Sequence, residues 1–198
     1  MELSFASAVL ILVFVTDPLG NIPLFVSLLR QVDPARRFTV IVRECLIAFA
    51  LLLVCAFFGR ALLDLLGLSD RSLNIAGGLI LFLIALRMIF HNPEGIFGDM
   101  PAGEPFIVPL AIPSIAGPAA IATVILLVSR APQRIGEWII ALTLAMLVVL
   151  VILLFAERIA RLVGERGLIA FERLMGLILT AIAVEMLLRG IETFVQQL

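Results

Sequence analysis

The residues best suited to chemistry are crowded into two short stretches of this sequence, both in surroundings that should not hold them. VTDPLGNIPLF (15–25) sets the Asp17 carboxylate and the Asn21 carboxamide among Pro18, Gly20 and Pro23, inside a run that is otherwise apolar. PLAIPSIAGPAA (109–120) sets Ser114 and Gly117 among Pro109, Pro113 and Pro118. An interior proline removes a backbone donor and destabilises a helix by about 3 kcal/mol or more, and glycine weakens it further. Each stretch therefore breaks a helix and releases N–H and C=O groups. A half-helix starting at Asn21 or Ile22, and another at Pro118, would aim free N–H groups and a positive dipole end at one place. Such ends hold carboxylates and other anions. Asp17 and the unwound carbonyls beside it suit an ammonium group, a Na⁺ or a proton. Together they suit a zwitterion of amino-acid size. The candidate substrate-binding residues are Asp17, Gly20, Asn21, Ser114 and Gly117; the candidate helix-breakers are Pro18, Pro23, Pro113 and Pro118.

The elements that must position these residues are membrane helices. The chain of 198 residues is 63% hydrophobic and only 15% charged, with 14 arginines and no lysine; its mean hydropathy is +1.22. Soluble domains carry about a quarter charged residues, so a polytopic membrane protein is the class that fits. Six apolar stretches approach the roughly 20 residues a span needs, at about 3–29, 38–60, 73–90, 105–129, 138–156 and 174–190. The first has no basic region before it and reads as a membrane helix rather than a cleaved signal. Asp33 before Pro34 predicts an N-cap followed by proline at the first helical position. Both interruptions fall near the centres of their stretches, hence near the bilayer midplane, where irregular backbone is tolerated only if buried in protein or lining a water-filled cavity.

The chain also repeats itself. GLILFLIALRM (78–88) and GLILTAIAVEM (176–186) share seven of eleven residues at an offset of 98, and Gly20 and Gly117 lie 97 apart in the two interruptions. Residues 1–90 and 105–198 therefore read as two three-helix repeats joined by a Pro- and Gly-rich connection over 91–104, within one integral membrane domain. Three spans per repeat is an odd number, so the second repeat enters the membrane inverted. The expected fold is all-α, with six transmembrane helices in a 3+3 inverted repeat, an architecture common among secondary transporters. The first and fourth helices are broken. Nine arginines fall on the side of connections 1–2, 3–4 and 5–6 and five on the other, which predicts odd connections in the cytoplasm and both termini outside.

DPLGNIPLF, PAGEPFIVPLAIPSIAGPAAIATVILL and ERLMGLIL resemble the MarC family over nearly the whole chain. The motif residues Asp17, Pro18, Gly20, Asn21, Ser114, Gly117 and Pro118 show no departure. The resemblance implies six spans in the inner membrane of bacteria or archaea. It also implies transport of small neutral amino acids, with which several members are associated.

Other polar residues have simpler readings. Asn74, Gly78 and Ala85 share one helix face, and Glu172, Gly176, Thr180 and Ala183 share another; small residues there allow close packing, with Thr180 able to bond across the contact. Arg87 and Glu185 stand near helix ends and read as headgroup anchors. Arg43 and Glu44 mark the start of the second span. Adjacent helix residues do not face each other, so the pair reads as a solvated helix end or as a gate reaching the first interruption. Cys45 and Cys55, ten residues apart on one helix, are too distant for a disulfide. His91 reads as part of a surface turn.

The functions follow from these residues. A membrane protease needs paired aspartates or a Ser/His pair at depth, and Asp17 is the only such carboxylate; no enzyme is expected. A channel needs a polar stripe or charged ring, which these spans lack. There is no phosphate-binding glycine loop or His/Cys cluster, so no cofactor, metal or nucleic-acid partner is expected. A secondary transporter of small neutral amino acids (alanine, serine, threonine, glycine) is the leading expectation, with H⁺ or Na⁺ as coupling ion. Transport of an inorganic ion or another small metabolite through the same site is the alternative. The expected partners are the lipid bilayer and a small zwitterionic substrate; a homo-oligomer is left open.

Overall fold

A computed structural model describes residues 4–30, 32–65, 67, 69–90, 106–108 and 110–195. The described residues are helical almost throughout. α1 (Phe5–Thr16) and α2 (Ile22–Leu29) share the first apolar stretch. At 1.5 Å per residue they rise about 18 and 12 Å, together about one bilayer core. α3 (Pro34–Leu65) and α4 (Asp70–Ile89) follow. A π-helical turn (Leu110–Ile115) and α5 (Pro118–Arg130) divide the fourth stretch in the same way. A 3₁₀ turn (Pro132–Arg134) leads into α6 (Ile135–Leu154), and α7 (Ala156–Val195) completes the chain. Among the described residues, three segments are long and apolar enough to cross a membrane: Pro34–Ala61, Pro132–Leu154 and Ile169–Glu192. The expected connection 91–104, with His91, lies outside the described residues.

Local chemistry sets the helix ends. Asp33 accepts the Ala35 N–H through Oδ1 at 2.9 Å, and Pro34 opens α3 as the sequence predicts. Ser69 caps α4 by accepting the Ser72 N–H at 3.2 Å. The apolar stretch at 174–190 lies within the candidate span Ile169–Glu192, but its helix is longer. It begins at Ala156 rather than near 174, and is interrupted at Gly164, whose φ of 71° is a left-handed conformation that glycine adopts without steric penalty. The charged segment around 157–173 is thus helix on both sides of one bend.

Packing is organised around α4 and α7, which run along each other. A Cβ at Gly78 would lie 3.0 Å from the Ala183 carbonyl, and one at Gly176 would lie 3.0 Å from the Ala85 carbonyl. The small-residue faces read from the sequence do bring these helices into close contact. Thr180 takes no part across the contact; its hydroxyl donates to the Gly176 carbonyl of its own helix at 2.8 Å. The side chains of Asn74 and Glu172 lie outside the described residues. α1 and α3 pack against α5 and α6, and α2 against α7. Leu12, Phe25, Leu52, Ile115 and Leu142 are fully buried between them, while Phe58, Leu147 and Leu177 face outward. In water such an apolar exterior would drive association; against lipid tails it is stable.

Candidate functional site

The first interruption is a closed local structure. The Thr16 hydroxyl bonds back to the Leu12 carbonyl at 2.8 Å, ending α1. Asp17 adopts a left-handed conformation, φ 41°, which aspartate tolerates better than most residues. Its N–H stays bonded to the Val13 carbonyl at 3.1 Å while its own carbonyl accepts the Asn21 N–H at 3.1 Å. Its carboxylate Oδ1 takes the Gly20 N–H at 3.0 Å. α2 then begins at Ile22, with Asn21 at its N-cap and Pro23 in its first turn. The predicted half-helix start is correct. A Cβ at Gly20 would force the Asp17 carboxylate and the Met88 methyl to shift.

The second interruption is built differently. Ile112 is extended (φ −127°, ψ 127°) and precedes a cis bond to Pro113. Wide-turn bonds run from Ile112 N–H to the Ile107 carbonyl and from Ala116 N–H to the Ala111 carbonyl, both 2.9 Å. Gly117 is the extended N-cap and Pro118 the first residue of α5, as predicted. A Cβ at Gly117 would lie 2.7 Å from the Pro113 carbonyl oxygen.

Asn21 joins the two. Its Nδ2 donates to the Thr16 carbonyl and to the Ser114 carbonyl, each at 3.0 Å, using both hydrogens of the amide. These are carbonyls that the helix breaks have released, and one side chain satisfies one from each break. Between the breaks lies a cavity of about 50 Å³, room for a few water-sized groups. Asp17, Gly20 and Asn21 line it from the first break, and Pro113, Ser114 and Gly117 from the second. Leu81 and Met88 of α4 and Leu179 of α7 close it with apolar surface. Asp17 is 7% exposed, and no basic side chain lines the cavity among the described residues. The cavity thus offers one carboxylate and peptide dipoles to a ligand, within apolar walls. Asp17, Gly20, Asn21, Ser114, Gly117, Pro113 and Pro118 are all brought together; Pro18 and Pro23 shape the first break without lining the cavity.

Arg43 and Glu44 are not a solvated helix end. Glu44 is fully buried. Its Oε1 accepts from Arg43 Nε at 2.9 Å, so these adjacent residues do pair. The long arginine stem lets the guanidinium fold back on its neighbour. Glu44 Oε2 accepts the Ile107 N–H at 2.9 Å, and Arg43 lies 4.9 Å over the Phe106 ring. Ile107 has φ 62°, and the Val108 N–H donates to the Phe106 carbonyl at 2.7 Å, a tight three-residue turn that a β-branched residue adopts only under strain. The pair therefore anchors the approach to the second break, not the first.

Sequence reasoning passed over Thr16, Met88, Leu81 and Leu179. Only Thr16 carried a signal, as the polar neighbour of Asp17 in a membrane stretch. The Arg87 side chain lies outside the described residues, and Glu185 is exposed. Cys45 and Cys55 are free thiols. No group of three or more His, Cys, Asp or Glu able to hold a metal occurs among the described residues.

Comparison with known proteins agrees with an integral membrane protein. The family profile described as "MarC family integral membrane protein" matches residues 3–195. The "UPF0056 inner membrane protein YhgN" of Escherichia coli (strain K12) is 48% identical over 191 residues, 96% of this chain and 97% of that relative. A "UPF0056 membrane protein" of Buchnera aphidicola subsp. Schizaphis graminum is 40% identical over 188 residues, 95% of this chain and 96% of that relative. A further one from Methanocaldococcus jannaschii is 34% identical over 188 residues, 90% of this chain and 82% of that relative. No solved structure matches the chain. With one profile spanning residues 3–195 and nearly half of all positions shared with a full-length relative, the chain belongs to the MarC family of integral membrane proteins.

Proposed function

We propose that this protein is a secondary transporter of small neutral amino acids, working by alternating access around the cavity between its two helix breaks. The observation that carries this reading is the Asn21 bridge. It joins the two interruptions around a cavity that holds a buried carboxylate and no basic side chain among the described residues. The substrate ammonium group, or a coupling H⁺ or Na⁺, meets Asp17. The substrate carboxylate meets the N-terminal end of α5, which no side chain caps and which borders the cavity at Pro118 and Ala119; such an end favours an anion. A volume of about 50 Å³ favours the small members of the class, glycine, alanine, serine and threonine. Alternating access follows from a 3+3 inverted repeat of six spans, each repeat contributing one broken helix at the midplane. The arginine distribution, nine against five, supports odd connections in the cytoplasm and both termini outside, and the bacterial relative's name supports the inner membrane.

The test is counterflow. Proteoliposomes preloaded with unlabelled alanine are offered labelled alanine, and the same vesicles are assayed for Na⁺ or H⁺ flux with no amino acid present. Labelled alanine accumulating above empty liposomes supports the proposal. Ion flux alone, with no amino-acid exchange, would replace it with an ion transporter using the same site.

A further inference from the structure

A second cavity, of about 220 Å³, lies at the far end of α2, where it meets the start of α3, the end of α6 and the start of α7. Its chemistry differs from that of the central cavity. Arg37, Arg158 and Arg161 line it, with Glu157 as its one acid among the described residues. Glu157 is already engaged, its Oε1 2.6 Å from Arg37 Nη1. Arg158 and Arg161 have no carboxylate partner among the described residues; Arg161 Nε bonds only the Glu157 carbonyl, at 3.3 Å, and Arg158 lies 5.3 Å over the Phe155 ring. The remaining walls are apolar, including Leu29, Phe38, Ile41 and Leu154. Phe38 and Phe155 are exposed, at 64% and 44%.

We propose that this cavity binds the headgroup of an anionic phospholipid. Arg158 and Arg161 hold the phosphate, and Phe38 and Leu154 line the path of an acyl chain. Three arginines against one glutamate leave an excess of two positive charges among the lining residues, and the single negative charge of a phosphate diester offsets one of them. Guanidinium is the side chain suited to it, because its planar fork bonds two phosphate oxygens at once. Basic pockets between membrane helices hold anionic headgroups in this way. A soluble phosphate would find the arginines but leave the apolar walls uncovered; a lipid covers both. The segments that flank this cavity in sequence, residues 30–37 and 156–168, carry six arginines against three acidic residues, so the wider surface also draws an anionic leaflet.

The test uses the full-length protein, delipidated in a nonionic detergent and titrated with phosphatidylglycerol, phosphatidylcholine or inorganic phosphate. Bound lipid is read by native mass spectrometry and thermal stability by light scattering. The expected result is phosphatidylglycerol binding at least about tenfold tighter than phosphatidylcholine, with a loss of about tenfold in an Arg158→Gln/Arg161→Gln variant. Arg134→Gln, which alters an arginine outside this cavity, should leave that binding intact. If the double variant does not fold, Arg158→Gln alone, at an exposed position, should lose several-fold. Equal binding of the two lipids by the wild type, or full retention in the folded variants, would overturn the assignment. So would displacement of phosphatidylglycerol by inorganic phosphate, which would make the cavity a site for a free anion.

Discussion

The Asn21 side-chain amide lies 3.0 Å from the carbonyl oxygens of both Thr16 and Ser114, tying two helix breaks together across 93 positions of sequence. Both carbonyls belong to backbone that has left its helix. In a lipid environment a released carbonyl has no water to turn to, and leaving it unpaired is costly. Asn21→Ala is therefore expected to lower stability by about 1–3 kcal/mol, read as a fall in melting temperature in detergent. Ser114→Ala should cost less, because the bridge accepts at the Ser114 main chain. The reverse order would mean that the bridge contributes little.

Gly20 is held small by the site itself. Gly20→Ala adds a methyl where the Asp17 carboxylate and the Met88 methyl already sit, and should destabilise by about 1–3 kcal/mol. Gly136→Ala, where an added Cβ meets nothing within 4 Å, should be neutral or slightly stabilising in the same assay. Equal effects at the two positions would argue that the first break repacks freely.

Glu44 satisfies a strained turn from inside the protein. Glu44→Ala leaves the Ile107 N–H without its acceptor and removes the partner of Arg43, whose side chain is 29% exposed; the loss should be about 1–3 kcal/mol, mostly from the unpaired N–H. Amide exchange at Ile107 should speed up well beyond that in α6. Unchanged exchange at Ile107 would show that Glu44 does not hold this turn.

The Arg37–Glu157 pair is of a different kind. Its side chains are 25% and 40% exposed, so Arg37→Gln should cost less than about 1 kcal/mol. The difference from wild type should shrink as salt is raised, because partly exposed pairs are screened. A large, salt-independent loss would mean that Arg37 matters through packing.

The legible parts of this molecule were those governed by local covalent chemistry. Proline and glycine mark where a helix cannot continue, and the starts of α2 at Ile22 and α5 at Pro118 follow from them. The Asp33 cap and the close approach at Gly78 and Gly176 are likewise written in residue type and spacing. What stayed hidden depends on what lies opposite. Nothing near Glu44 in sequence announces that its partner is the main chain of Ile107, 63 residues away. Met88 and Leu179 are ordinary apolar residues of long helices, and become walls of a cavity only because α4 and α7 pass the two breaks. Thr180 also shows the limit of pattern reading: its position promised a bond across the helix contact, yet its hydroxyl turned to its own backbone, 2.8 Å away.

The central claim is that the two breaks form one solute site with Asp17 as its charged group. Alanine counterflow in proteoliposomes, comparing wild type with Asp17→Asn, tests it most directly. Asparagine keeps the size of the side chain and an oxygen to accept the Gly20 N–H, so the variant should fold. The account predicts exchange in the wild type that Asp17→Asn reduces by at least about tenfold, the scale expected for loss of one charge-assisted bond. Wild-type exchange that continues undiminished in a folded Asp17→Asn protein would contradict it, and would leave Asp17 as a cap for the broken helix.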